Sequence, residues 1–313
     1  MTQETTAVVF QQPRALAIQS VGLKAAVKGD CVVDIEWSGI STGTERLLWT
    51  GQMPDFPGMG YPLVPGYESV GRVVEANTDS KLAVGDRVFV PGAQCFESVR
   101  GLFGGAAARL VVPADRLLSL GDDISEEGTL IALAATAHHA LVISPHQLPD
   151  LIVGHGVLGR LLARLVLALG GPAPTVWDRQ STRRDGDCDY AVIDPDSDTR
   201  RDYKMICDAS GDANILDSLI ARLAPGGEIL LAGFYDKPLH FAFPAAFMRE
   251  ARLQIAAEWK RSDLDAVLAL VRSRKLSLHG LITHHSSPGQ AAEAYETAFA
   301  DSACLKMIID WRQ

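Results

Sequence analysis

The stretch from Leu151 to Asp178, LIVGHGVLGRLLARLVLALGGPAPTVWD, restricts the possible folds more than any other part of the chain. Leu151, Ile152 and Val153 read as a short buried strand that runs into Gly154-His155-Gly156-Val157-Leu158-Gly159, a G-x-G-x-x-G pattern. Leu161, Leu162, Leu165, Val166 and Leu169 then follow at the spacing of a buried helix, and Gly170-Gly171 stops it. A second strand, Thr175-Val176-Trp177, ends on Asp178, 19 residues after Gly159. Gly154 permits the tight turn, Gly156 leaves the backbone bare for a pyrophosphate, and Gly159 lets the helix lie close to the sheet. The helix start at Val157 and Leu158 offers unpaired N–H groups and a positive dipole end. A carboxylate at Asp178 accepts hydrogen bonds from ribose hydroxyls and repels a 2′-phosphate. The order of strand, glycines, helix, strand and acid predicts a dinucleotide site formed by Gly154, His155, Gly156, Val157, Leu158, Gly159, Asp178 and Arg179, with NAD preferred to NADP. Arg179, Arg183 and Arg184 keep a 2′-phosphate as the other option.

At 313 residues the chain is long enough for two domains with cores of their own. A hydrophobic content of 47% and a mean hydropathy of +0.09 are those of a globular protein in water. The net charge of −9 argues against a nucleic-acid partner. Cys31, Cys95, Cys188, Cys207 and Cys304 are scattered singly, with neither metal-ligand nor CxxC spacing, which points to a reducing cytoplasm. The N-terminal MTQETTAVVF lacks the features of a signal peptide, and no apolar run has transmembrane length.

Residues 1–122 read as short strands and turns, with strands at Ala7–Phe10 and Cys31–Glu36. Ser38 to Glu45 is a hydroxyl-rich loop, and Trp49 to Pro65 a second loop rich in proline, glycine and aromatic residues. Residues 123–265 form the nucleotide-binding part, opened by a helix over Glu126–Ile143. Beyond Asp178 the chain is too brief for a full helix before Tyr190–Ile193. Met205–Asp208 is a strand that leads into Ala209-Ser210-Gly211, Asp212–Leu223 a helix, and Glu228–Ala232 a strand that ends on Gly233. Alternating elements of this kind predict a parallel sheet with ligand at the carboxyl ends of its strands, which adds Ser210 and Gly233 to the cofactor site. Residues 266–313 contribute two helices and a last strand at Lys306–Ile309.

Several segments together resemble the medium-chain alcohol dehydrogenases. They are the Ser38–Glu45 loop, Pro65-Gly66-Tyr67-Glu68 with Gly71, Val84-Gly85-Asp86-Arg87-Val88, Thr136-Ala137-His138-His139-Ala140, the Gly154–Gly159 turn and Leu223-Ala224-Pro225-Gly226-Gly227. The resemblance implies an α/β architecture: a GroES-like β domain, then a Rossmann domain with a doubly wound parallel sheet, then a return to the first domain, with the active site between them. It also implies a homodimer, formed by edge strands near Glu228–Phe234.

Departures from the family pattern are as informative. The zinc-dependent members have a cysteine where this chain has Ser41, a histidine where it has Tyr67, and a cysteine or glutamate where it has Ala132. The resemblance therefore implies no metal at this site, since a catalytic zinc needs about three side-chain ligands and an open position. The structural zinc lobe is missing too, with Cys95 alone between Asp86 and Arg109. SGISTGTERLL, PGYESVGRVVEA and ITHHSSP are similar to a branch of the family that oxidises a 1-hydroxyethyl group of a tetrapyrrole, a bacteriochlorophyllide, to acetyl.

Without zinc, a protein group must take the alcohol proton. The candidates are Ser41, Thr42, Thr44, Glu45, Tyr67, Glu68, His138 and His139. Tyr67 leads, because it stands at a zinc-ligand position, but a tyrosine base needs a lowered pKa. Glu45 and Glu68 also read as structural anchors, and at least one of the histidines as a packed residue. Trp49, Met53, Phe56, Met59 and Tyr61 would suit a flat apolar substrate or a packed surface loop equally well. Two other readings stay open: a zinc-free quinone or enone reductase, and a non-catalytic NAD-binding protein.

Overall fold

The computed structural model describes residues 3–77, 82–144, 147–186 and 188–312. They cluster into two units, one holding residues up to Ala132 together with those from His279 onward, the other Leu133–Leu278.

The first unit starts with a hairpin, β1 (Gln3–Gln12) and β2 (Ala15–Leu23), and continues through β3 (Asp30–Gly39). A helix, α1 (Thr44–Thr50), follows where only loop was expected. It takes Trp49 out of the aromatic loop and ends on Gly51, whose φ of +73° suits glycine. After it come β4 (Leu63–Val64), β5 (Ser69–Ala76), β6 (Arg87–Val90), β7 (Arg100–Gly101), β8 (Arg109–Pro113) and β9 (Leu118–Ser119). Strand β3 is a nearly continuous run of buried and half-buried residues, flanked in its sheet by β5 and β8.

The second unit opens with α2 (Ile131–Val142), which straddles the division between the units. The helix expected from Glu126 begins instead as a 3₁₀ turn over Glu126–Leu130. Strand β10 (Leu151–Val153) leads through the glycine turn into α3 (Val157–Ala168), then β11 (Thr175–Trp177), α4 (Ser181–Arg184) and β12 (Ala191–Ile193). The expected trimming of the helix after Asp178 is seen, since α4 is a single turn. Leu161, Leu162, Leu165 and Val166 are fully buried, whereas Leu169 is exposed because it caps the helix. Next come β13 (Tyr203–Asp208), α5 (Leu216–Ile220), β14 (Leu223–Leu231), α6 (Phe243–Met248), β15 (Arg252–Ile255) and α7 (Arg261–Arg272). Helix α5 is shorter than the Asp212–Leu223 expected. Ser210 and Asp212 use their side chains to bond the N–H groups of Asp212 and Asn214, which holds that stretch in turns. At the other end Leu223 is already paired with Tyr203 in the sheet.

The sheet order β12-β11-β10-β13-β14-β15, parallel throughout, is that of a doubly wound nucleotide fold. Strand β14 lies between β13 and β15, so the edge expected near Glu228–Phe234 is an interior position and β15 is the edge.

The chain then returns to the first unit with β16 (His284–Ser286), α8 (Ala291–Ala300) and β17 (Met307–Asp310). Strand β17 pairs antiparallel with β3, and together they belong to a sheet ordered β16-β17-β3-β5-β6-β9, with β8 also on β3; β2-β1-β4-β7 form a second sheet. The domain lines expected from the sequence fall after residues 122 and 265. The contacts place α7 wholly in the second unit, where its Asp263 is bonded to His138 and His139 of α2. No described helix is long and apolar enough to cross a membrane.

Candidate active site and cofactor site

In the first unit the turn after β3 brings Ser41 and Thr44 to the hydroxyl of Tyr67. Ser41 Oγ lies 2.7 Å and Thr44 Oγ1 3.4 Å from it, and the Tyr67 ring packs edge-on against Phe103 with centroids 5.4 Å apart. Thr42 is half-buried in the same turn. Burial and then the charge of Glu68 raise the Tyr67 pKa well above the ordinary phenol value, although Ser41 and Thr44 pull it back. This is opposite to the lowered pKa that a tyrosine base would need. The structure holds Tyr67 as a neutral phenol in a chain of hydroxyls, suited to passing a proton along rather than storing one.

Glu45 and Glu68 lie behind this chain, both 0% exposed. Glu45 accepts the Ser41 N–H at 3.0 Å and the Tyr295 hydroxyl at 2.7 Å, so it ties the hydroxyl turn to α8. Burial pushes its pKa up to about 7, offset in part by the Ser41 and Tyr295 hydrogen bonds. Glu68 receives the Lys306 ammonium at 2.5 Å, and Lys306 also donates to the Ile40 carbonyl at 3.1 Å. Burial raises the Glu68 pKa against the pull of Lys306. Both carboxylates therefore serve as internal anchors of the turn.

In the second unit the glycine turn has the shape its sequence requires. Gly154 has φ of +96°, and a Cβ on Gly159 would lie 1.7 Å from the Gly154 carbonyl oxygen. A Cβ on Gly156 would meet nothing nearer than Arg183 Nη1 at 3.9 Å, so that stretch of backbone is open to a ligand. Val157 and Leu158 form the first turn of α3. The His155 ring faces inward, with Nδ1 2.6 Å from the Arg183 carbonyl and Nε2 3.0 Å from the Tyr190 hydroxyl. Burial lowers its pKa to about 4, so the ring is neutral and Nδ1 donates to the carbonyl. His155 thus shapes the turn from beneath rather than reaching toward a cofactor with its side chain.

Asp178 accepts the His155 N–H at 2.8 Å and the Gln180 N–H at 2.9 Å, which fixes its carboxylate at the end of β11. Arg184 is engaged with the Asp178 and Arg179 carbonyls and with Asp194. Arg179 is 78% exposed, with Asp196 4.0 Å away. Ser210 and Gly233 lie in the turns that follow β13 and β14. His138 and His139 each place Nδ1 against Asp263, at 2.8 and 2.9 Å, in a buried cluster that fastens α2 to α7. A proton-accepting role for His139 would fall to Nε2.

In the loop proposed for a flat substrate, most of the apolar side chains pack against the core. Met53 is buried, Trp49 stacks edge-on with Phe10, and Tyr61 donates its hydroxyl to the Leu48 carbonyl. Of the five, Phe56 alone is exposed.

Residues 27–122 match the model of the alcohol dehydrogenase GroES-like domain. Over 98% of both chains, the sequence is 58% identical to a 2-desacetyl-2-hydroxyethyl bacteriochlorophyllide A dehydrogenase of Cereibacter sphaeroides. The protein of that description from Rhodobacter capsulatus is 57% identical over 99% of both chains. The chain belongs to the medium-chain alcohol dehydrogenase family. The fold agrees: 2R,3R-butanediol dehydrogenase from Bacillus subtilis superposes with a TM-score of 0.84 at 20% identity, over 98% of this chain and 99% of its own.

As a medium-chain alcohol dehydrogenase, the chain can be tested for the family's zinc. Ser41 and Tyr67 are bonded to each other through their hydroxyls, Ala132 is an aliphatic core residue, and the described residues contain no cluster of three or more His, Cys, Asp or Glu able to hold a metal. This donor set does not fit a tetrahedral zinc.

The pairings of Lys306, Tyr295, Tyr190 and Asp263, each a polar partner distant in the chain, are not foreseeable from the local sequence pattern. Lys306 offered a signal, as a lysine flanked by the apolar Leu305 and Met307-Ile308-Ile309 in a predicted buried strand. A buried lysine calls for a buried acid.

The Glu45 carboxyl has a directional consequence for stability. Its folded-state pKa is raised, so between about pH 4.5 and 7 the folded chain keeps a proton that the unfolded chain releases, and stability falls as pH rises through that window. Glu45→Gln removes this contribution. In thermal melts from pH 5 to 8 the variant is expected to gain on the parent protein as pH rises; a difference in melting temperature that does not change with pH would contradict it.

Proposed function

We propose that the chain oxidises the hydroxyethyl side chain of a bacteriochlorophyllide to acetyl, with NAD as hydride acceptor and without zinc, as a step of bacteriochlorophyll synthesis. The near-full-length identity to the Cereibacter sphaeroides dehydrogenase carries this reading. A cytoplasmic setting fits the five free cysteines.

When bound, the nicotinamide cofactor supplies the hydride acceptor. The chain's own task is to hold the alcohol and lead its proton away. A carbinol attached to a conjugated macrocycle spreads developing positive charge into the ring, which lessens the need for a metal. Tyr67 can accept the carbinol proton while giving its own to Ser41 Oγ, 2.7 Å away, and Ser41 in turn releases its hydroxyl proton toward solvent, so no free phenolate is formed. This relay agrees with a phenol whose pKa is raised. Glu45 holds the Ser41 backbone in place for it.

The assay of the reading is purified protein with NAD and hydroxyethyl chlorins, followed by the spectral change to acetyl; no turnover would overturn it. In that assay Tyr67→Phe, which keeps the ring and its contact with Phe103, is expected to lower kcat about tenfold or more with NAD affinity little changed. A preserved kcat would make Tyr67 a space-filling residue.

Support for NAD over NADP comes from the fixed Asp178 carboxylate and from the engagement of Arg184 elsewhere. Asp178→Asn removes the charge and keeps an acceptor for the turn. Fluorescence titrations should show the parent protein binding NAD far better than NADP and the variant with a narrower gap. Equal affinities in the parent would sink the assignment.

Homodimerisation is supported at β15, the edge of the parallel sheet. Leu253 and Ile255 on that strand and Phe243, Phe247 and Met248 on α6 are all exposed, at 41%, 74%, 66%, 66% and 77%. Pairing of two such edges would cover both the apolar side chains and the open strand. Light scattering should give the mass of a dimer for the parent protein and of a monomer for Phe247→Asp/Ile255→Lys; a monomeric parent would refute the pairing.

A further inference from the structure

Asp208 carries a fully buried carboxylate at the carboxyl end of β13. The Tyr235 hydroxyl donates to Oδ2 at 2.5 Å and the Ser210 N–H to Oδ1 at 2.9 Å. Both donors are neutral. Among the described residues no lysine, arginine or histidine pairs with this carboxylate. Burial raises its pKa and nearby Asp212 adds to the effect, while Tyr235 and Ser210 oppose both. A buried charge without a counter-charge is expensive and is retained where something is gained from it.

The surroundings show where it lies. Val153 is in register with Asp208 on the neighbouring strand and runs straight into Gly154. The Asp208 carbonyl accepts the N–H groups of Ala232 and Gly233, and Tyr235 then closes back onto the carboxylate. The three turns are in close contact. A Cβ on Gly154 would be 3.4 Å from Ala209, one on Gly211 3.1 Å from the Phe234 carbonyl oxygen, and one on Gly233 3.0 Å from the Gly211 nitrogen. Along the carboxyl edge of the sheet the order is therefore Asp178 on β11, the glycine turn on β10, and Asp208 on β13. A dinucleotide with its adenosine ribose at Asp178 and its pyrophosphate at the glycine turn brings its other end to the β13 and β14 turns. In NAD that end is the nicotinamide, cationic when oxidised and neutral when reduced.

We propose that the Asp208 carboxylate, positioned by Tyr235, is the counter-charge for the oxidised nicotinamide and makes the protein favour the oxidised over the reduced cofactor. The proposal rests on the nicotinamide reading above. In a low-dielectric interior a charge acts over several ångströms without contact. The anion stabilises the incoming cation, loses that attraction once hydride has neutralised the ring, and so promotes release of the spent cofactor. Tyr235 favours the ionised form of the carboxylate by donating to it, and holds the Gly233–Tyr235 turn over the strand end.

The test is equilibrium titration of the parent protein, Asp208→Asn and Tyr235→Phe with oxidised and reduced cofactor separately, alongside thermal melts. Asp208→Asn is isosteric and is expected to raise the ratio of the Kd for oxidised to the Kd for reduced cofactor by roughly fivefold or more. Tyr235→Phe should move the ratio in the same direction by a smaller factor. A residue with a purely structural role would weaken both forms alike, so an unchanged ratio in Asp208→Asn overturns the proposal. If Asp208→Asn does not fold, an unchanged ratio in Tyr235→Phe overturns it instead. A parent protein that binds neither form defeats the nicotinamide reading and the proposal with it.

Discussion

The β-rich unit depends on one ammonium group in its interior. Lys306 is 1% exposed and bridges the Glu68 carboxylate and the Ile40 carbonyl, while Glu45 lies near enough to feel its charge. Two buried carboxylates share this lysine, so the cluster cannot carry both negative charges at full strength. Glu45 accommodates the imbalance with a pKa near neutrality and with two hydrogen bonds, from the Ser41 backbone and Tyr295. The position of the Ser41–Tyr67 hydroxyl chain follows, because Glu45 holds the turn bearing Ser41 and Glu68 adjoins Tyr67. Breaking a buried pair of this kind typically costs about 3–5 kcal/mol, since the remaining charge is stranded. The chemistry of the site is therefore set one layer behind the residues that would touch a substrate.

Where a zinc-dependent relative would have metal ligands, this chain has short hydroxyl contacts. The replacement is coherent rather than piecemeal. Tyr67 fills volume and bonds Ser41, Ala132 packs into the core, and the second carboxylate is neutralised by lysine. A metal supplies fixed positive charge. A hydroxyl chain supplies only polarity and a route for protons, which suits an alcohol whose carbon readily gives up hydride.

The nucleotide fold was legible in the sequence because its constraints are local. The Gly154 φ, the closeness of Gly159 to the Gly154 carbonyl and the placement of Asp178 all depend on residues within one strand-turn-helix-strand unit. The inward turn of His155 was not legible, because Tyr190 and Arg183 reach it from beyond β11. The hydroxyl turn could be located but its tuning could not. The direction of the Tyr67 pKa depends on burial and on Glu68, and the anchoring of Glu45 depends on Tyr295, 250 residues away. Helix limits went astray where side chains competed for backbone hydrogen bonds, as at Ser210 and Asp212, and the sheet edge was misplaced because strand order is a property of the whole sheet.

The discontinuity of the first unit bears on how the chain emerges during synthesis. Its central strand β3 receives β17 along one edge, Trp311 donates to the Ser38 hydroxyl, and Lys306 reaches Glu68 across 238 residues of sequence. The second unit, Leu133–Leu278, is contiguous and has its own core. On a ribosome its parts are all present before the first unit has its last strand, its lysine or α8. Until then Glu45 and Glu68 would have to be hydrated or protonated, which favours an open early chain. The segment made first thus completes its fold last, and a polypeptide halted before Lys306 would leave the first unit without its anchoring charge.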